Sequence, residues 1–68
     1  MQYYIATATG QHFTAGKLYP VLDYVEGCGI LTTDDDNKDH YLSAEYLLRY
    51  FRKASDAQIR LLQKAGRL

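Results

Sequence analysis

Leu18-Tyr19-Pro20-Val21-Leu22-Asp23-Tyr24-Val25-Glu26-Gly27-Cys28-Gly29-Ile30-Leu31-Thr32-Thr33 decides the fold class of this 68-residue chain. β-branched and aromatic residues dominate the stretch, and they suit a pleated, half-buried surface. In an extended chain, Tyr19, Val21, Asp23 and Val25 share one side, with Leu18, Pro20, Leu22 and Tyr24 on the other. Pro20 has no amide hydrogen for a ladder, which places Leu18 to Glu26 at a sheet edge or makes Pro20 a strand start. Gly27 and Gly29 flank Cys28 and tolerate the positive φ of a tight turn. Ile30 to Thr33 then returns as the next strand.

Toward the N-terminus, Gln2 to Ala8 alternates with period two and reads as a further strand. Thr9 to His12 breaks it, Phe13 returns to the core, and Ala15-Gly16-Lys17 forms a turn. Toward the C-terminus, Asp34 to Asn37 is a polar hairpin loop, with Asn37 suited to a left-handed conformation. Lys38 to Leu42 is a short fourth strand.

Ser43 then reads as a helix N-cap, with Glu45 in the positive first turn. Tyr46, Leu47, Tyr50 and Phe51 recur at helical spacing, and Arg49, Arg52 and Lys53 lie mainly off that stripe. Ser55-Asp56-Ala57-Gln58 matches a capping box. Ile59, Leu62 and Ala65 form the expected buried face of a second helix, and Gly66 its stop.

Short strands joined by tight turns favour an α+β domain: a small antiparallel barrel or bent sheet of about four to five strands, with one or two C-terminal helices. The chain reads as one domain over 1–68, β-rich over 1–42 and helical over 43–68.

Composition narrows the classes further. A chain this short buries only roughly 60% of its unfolded surface, so its core is thin. Apolar residues make up 47% of it, with seven Tyr, two Phe and no Trp. Cys28 is the single cysteine, which excludes an internal disulfide and suits a reducing compartment. The first residues read neither as a signal peptide nor as a membrane span, so a cytoplasmic location is expected.

The formal net charge is zero but unevenly spread. From Met1 to Leu48, two basic residues (Lys17 and Lys38) stand against seven acidic ones, about −5. From Arg49 to Leu68, six basic residues stand against Asp56 alone, about +5.

Phe13-Thr14-Ala15-Gly16-Lys17-Leu18-Tyr19-Pro20-Val21 carries a Gly-Lys-x-Tyr-x-Val pattern. A glycine-containing turn, an Asp-rich hairpin, His40-Tyr41-Leu42 and a helix ending in Tyr50-Phe51 follow it. Over Phe13 to Phe51 this resembles the small SH3-like barrel proteins of tailed phages and prophages. The resemblance implies an SH3-like barrel and a role in binding and modulating a host or phage macromolecule. It assigns no functional residues. Were the protein phage-encoded, its location would be the host cytoplasm.

Residue chemistry offers little for catalysis. Asp34 to Asp39 invites a calcium reading, but Lys38 falls where an oxygen ligand is needed and Asp39 where the turn needs Gly. Cys28 and His40 lack a third group to orient the imidazole. His12 and His40 read as isolated, without a Cys/His cluster at zinc-ligand spacing. No enzymatic activity, metal or other cofactor is expected.

Partner binding is the expected role, as a non-catalytic accessory protein that inhibits or otherwise modulates a protein. An acidic face of Asp34, Asp35, Asp36 and Asp39 is one candidate contact. A basic helix face of Arg49, Arg52, Lys53, Arg60 and Lys64 is another, and Tyr24 and Tyr41 are the exposed aromatic candidates. The alternative is nucleic-acid binding through the same basic residues. Homodimerisation, with the acidic face of one copy on the basic helix of another, is compatible with both.

Overall fold

The computed structural model describes residues 2–65. Its strands are β1 (Tyr3–Ala6), β2 (Leu18–Pro20), β3 (Asp23–Val25), β4 (Gly29–Thr33), β5 (Asp39–Ser43) and β6 (Phe51–Lys53). Helix α1 (Ala44–Tyr50) lies between β5 and β6, and α2 (Asp56–Lys64) follows β6. The strands form two antiparallel three-stranded sheets, ordered β2-β1-β6 and β3-β4-β5, which do not close into a barrel.

The strand expected over Leu18 to Glu26 is divided between the two sheets. Val21 N–H donates to Gln2 O at 2.8 Å beside the first sheet, and Leu22 N–H donates to Leu31 O at 2.8 Å on the second. Pro20, the last residue of β2, fixes φ and lacks a donor, and the chain changes sheets directly after it. Pro20 pairs with Tyr3 on an edge strand, as a proline requires.

Gly29 opens β4 because nothing larger fits there. A Cβ at this position would sit 1.9 Å from Leu42 O. At the other end of the hairpin, Asn37 takes φ 60°, the left-handed conformation its side chain tolerates.

The main core lies between the sheets. Ala6, Tyr19 and Phe51 from the first meet Ile30 and Leu42 from the second, with Phe13 and Leu47 between them. Phe13 packs edge-to-face on both Tyr19 and Phe51, at centroid distances of 4.9 and 5.2 Å. Such pairs add roughly 0.5–1.5 kcal/mol beyond the area they bury. A smaller cluster of Ile5, Leu18 and Ala54 lies on the opposite face of the first sheet. Tyr3, Ile59 and Leu62 pack against it, so α2 covers that face.

The 43–68 segment is not wholly helical. Ser43 caps α1, its side chain accepting from Tyr46 N–H, but the helix ends at Tyr50. Phe51 is extended (φ −134°, ψ 161°) and begins β6, which pairs with β1 through Ala6↔Phe51, Ile5↔Arg52 and Tyr4↔Lys53. Arg52 and Lys53 therefore belong to a strand. In α2 both bonds of the Ser55/Gln58 capping box are present. Ile59 and Leu62 are half-buried as expected, whereas Ala65 is exposed. Gly66 lies outside the described residues.

Candidate functional site

Asp34 ends β4's side of the β4–β5 hairpin and turns inward, with only 1% of its side chain exposed. Its Oδ1 accepts from Asp36 N–H at 2.8 Å and Lys38 N–H at 3.0 Å. This Asx-type arrangement lets a short side chain replace turn bonds. Oδ2 is left facing two imidazoles: His40 Nε2 at 2.8 Å and His12 Nδ1 at 3.6 Å. The Lys38 amide acts foremost, working against burial. With the Asp36 amide and the two imidazoles it holds the Asp34 carboxyl below the usual carboxylate range.

The two histidines, isolated in sequence, meet in space with ring centroids 4.5 Å apart. Pairing of β4 with β5 puts His40 opposite Thr32 on the core side. His12 comes from the loop before β2, tied to the hairpin because Asp35 N–H donates to His12 O at 3.0 Å. Phe13 stands edge-on to His40 at 5.7 Å. Thr32 is fully buried, and its hydroxyl has no partner among the described residues.

The neighbouring Asp35 works differently. Its Oδ1 accepts from Tyr19 Oη at 2.7 Å and Lys17 Nζ at 3.1 Å, and its Oδ2 accepts from Thr14 Oγ1 at 2.7 Å. Burial pushes this carboxyl up, but the hydrogen bonds from Tyr19, Thr14 and Lys17 together leave it below the ordinary range. Burial foremost, and then the Asp35 carboxylate, push the Tyr19 hydroxyl up to about 12.

These contacts withdraw one member, Asp34, from the expected acidic face. Asp34 is buried, Asp35 is exposed but engaged by three side chains, and Asp36 and Asp39 are exposed. The buried Asp34 carboxylate was hidden in sequence by a run that resembles a solvated loop.

Cys28 and His40 do not form a pair. Cys28 precedes the Gly29↔Ser43 end of the β4–β5 ladder, whereas His40 pairs with Thr32 farther along. Burial foremost, and then the Cys28 thiol beside it, raise the pKa of the Tyr41 hydroxyl.

Tyr24 and Tyr41 are both exposed, at 57% and 51%, but on opposite faces of the second sheet. Tyr24 shares a cross-strand row with Ile30 and Leu42, which point into the core. Tyr41 shares the outer row with Asp23 and Leu31. Val25 (43% exposed) lies one pair along on that outer side.

The basic residues do not make one helix face. Arg49 is in the last turn of α1, where it reaches Glu45 Oε1 at 3.8 Å. Arg52 and Lys53 point to opposite sides of β6, and Arg60 and Lys64 lie on α2. No helix among the described residues is long and apolar enough to cross a membrane. No protein-family model, curated protein or solved structure matches this chain.

Proposed function

We propose that this chain is a non-catalytic protein-binding module: an accessory protein of the tailed-phage kind it resembles, docking on a host or phage protein and modulating it. The contact surface is the outer face of the β3-β4-β5 sheet. The observation that carries this reading is an asymmetry of cover. The first sheet has the main core on one face and α2 on the other, whereas among the described residues the second sheet has the core on one face only. Val25, Leu31 and Tyr41 occupy adjoining positions on the uncovered side.

Apolar side chains flanked by polar ones on an uncovered face are what interfaces use. Tyr41 suits such a role, since a tyrosine presents a rigid ring at little entropic cost. The strand order supports an open SH3-like arrangement, in which one bent run serves both sheets and a short helix leads into the last strand.

The test is an affinity capture from bacterial lysate, with and without nuclease treatment, with wild-type protein and Tyr41→Asp run side by side. The ring is half exposed and belongs to neither core cluster, so the variant is expected to fold. A specific protein retained by the wild type and lost by Tyr41→Asp is the expected result. Equal retention by both sinks the proposed face, and loss of every partner on nuclease treatment sinks the protein-partner reading.

A further inference from the structure

We propose that His12, Asp34 and His40 form a binding site for one divalent transition-metal ion of the zinc class. The donors would be His12 Nδ1, His40 Nε2 and Asp34 Oδ2, with a water molecule completing the coordination. All three donor atoms lie within 4.8 Å of one another.

The geometry is close to what the ion needs. Zinc–nitrogen bonds of about 2.0–2.1 Å and zinc–oxygen bonds of about 2.0–2.2 Å place tetrahedral donors roughly 3.3–3.5 Å apart. The observed separations from Asp34 Oδ2, 2.8 Å to His40 and 3.6 Å to His12, bracket that value. A shift of about 1 Å in the imidazoles completes the site. His12, with 44% of its side chain exposed, is free to make it.

Three features make the cluster a built site. The Asp34 carboxylate is almost wholly buried, and two backbone amides fix its Oδ1, so Oδ2 has one direction to face. Outer bonds of this kind orient ligands and sharpen affinity. The Asp35 N–H bond to His12 O ties the loop that carries one ligand to the hairpin that carries the other two. Phe13 supports the His40 ring from the side.

Without metal, His40 Nε2 and Asp34 Oδ2 lie 2.8 Å apart, close enough for a proton between them. The ion takes the place of the proton between them, and the His40 imidazole then carries its hydrogen on Nδ1. His12, ligating through Nδ1, carries its hydrogen on Nε2. Any imidazolium present releases a proton, so affinity falls in acid. Two imidazoles and one carboxylate favour zinc and its first-row neighbours over magnesium or calcium, which seek all-oxygen shells. A cleft lined by Tyr41, Ser43 and Tyr46 leads to the histidines and admits the water.

The experiment titrates Zn²⁺ into the untagged full-length chain by calorimetry and repeats it with Co²⁺, followed by visible absorption. One ion per chain is expected, with a cobalt spectrum of tetrahedral type and no competition from excess Mg²⁺. His12→Ala and His40→Ala are each expected to weaken binding by about tenfold or more. Should His40→Ala fail to fold, His12→Ala decides, because that side chain is largely outside the core. Binding weaker than about 1 mM overturns the site. So does tight binding that survives His12→Ala, or that Cys28→Ser alone abolishes.

Discussion

Tyr19 brings a hydroxyl into the core and keeps it there by supplying two partners. It accepts from Thr14 N–H at 2.6 Å and donates to Asp35 Oδ1 at 2.7 Å. Ionising it would set a phenolate against a carboxylate in a desolvated place, so the fold favours the neutral form. Its pKa rises from 10.0 to about 12, and the sign of the linkage follows. A raised folded pKa means this contribution is whole below pH 10 and is lost as pH climbs through 12. An alkaline titration followed by near-ultraviolet absorbance is expected to show one tyrosine ionising last, together with the unfolding transition. Replacing Asp35 with Asn should bring that step to lower pH. A late step unchanged in Asp35→Asn would mean that burial alone holds the proton. Gly29 is a second residue with a single cause behind it. A methyl group there meets Leu42 O at 1.9 Å, and strand backbone cannot move aside as a flexible side chain can. Gly29→Ala is expected to cost about 3 kcal/mol or more, read from chemical denaturation, against near neutrality for Gly10→Ala, where nothing lies within 4 Å.

At the scale of elements, α2 is amphipathic, yet none of its described residues is fully buried. Its hold on the first sheet rests on Ile59 and Leu62, which reach Ile5, Leu18 and Ala54. Leu62→Ala is therefore expected to destabilise by about 1–2 kcal/mol, since only part of a side chain leaves an apolar contact. Leu61→Ala, at a position 67% exposed, should change stability by less than about 0.5 kcal/mol. Equal effects in a thermal melt would mean that α2 does not pack as described. The same elements show what a sequence discloses. Both serine caps were legible because capping is chemistry between neighbours, complete within three or four residues. The strands around Gly27–Gly29 and Asn37 were legible because turn residues carry their own conformational demand. β6 was not: Phe51 continues the helical spacing of Tyr46, Leu47 and Tyr50, and only pairing with β1, distant in sequence, pulls it out as a strand. The bond from Asp35 N–H to His12 O likewise brings His12 to His40, which no local pattern links to it. The one local hint was the Asp-Asp-Asp-Asn-Lys run, whose first member had the spacing to bond the amides of Asp36 and Lys38.

For the whole molecule, the uneven charge can be weighed against the surfaces that present it. A polyanion needs a stripe of cations, because binding strength grows with the number of phosphates neutralised together. At 100° per residue, Arg60 and Lys64 fall on the side of α2 away from Ile59 and Leu62, and so face outward from the first sheet. Lys53 shares a row with Tyr4 on the core side of β6, whereas Arg52 shares one with Ile5 on the side that α2 covers. Arg49 sits on α1 next to Glu45. These five cations thus look in several directions, and the exposed pair of rings Tyr46 and Tyr50, 4.8 Å apart, accompanies Arg49 alone among them. The acidic side is diluted in turn by the burial of Asp34 and the pairing of Asp35 with Lys17, which weakens the case for charge-driven pairing of two copies. Contacts through the proposed face of Val25, Leu31 and Tyr41 would be far less sensitive to salt than phosphate contacts, since screening leaves apolar burial intact. A random single-stranded oligonucleotide, followed by fluorescence anisotropy at low and at physiological salt, should show no binding tighter than about 10⁻⁴ M at the higher salt. Tight binding with a steep salt slope, abolished by Arg60→Glu and Lys64→Glu together, would instead move the working surface from the open sheet to the C-terminal helix.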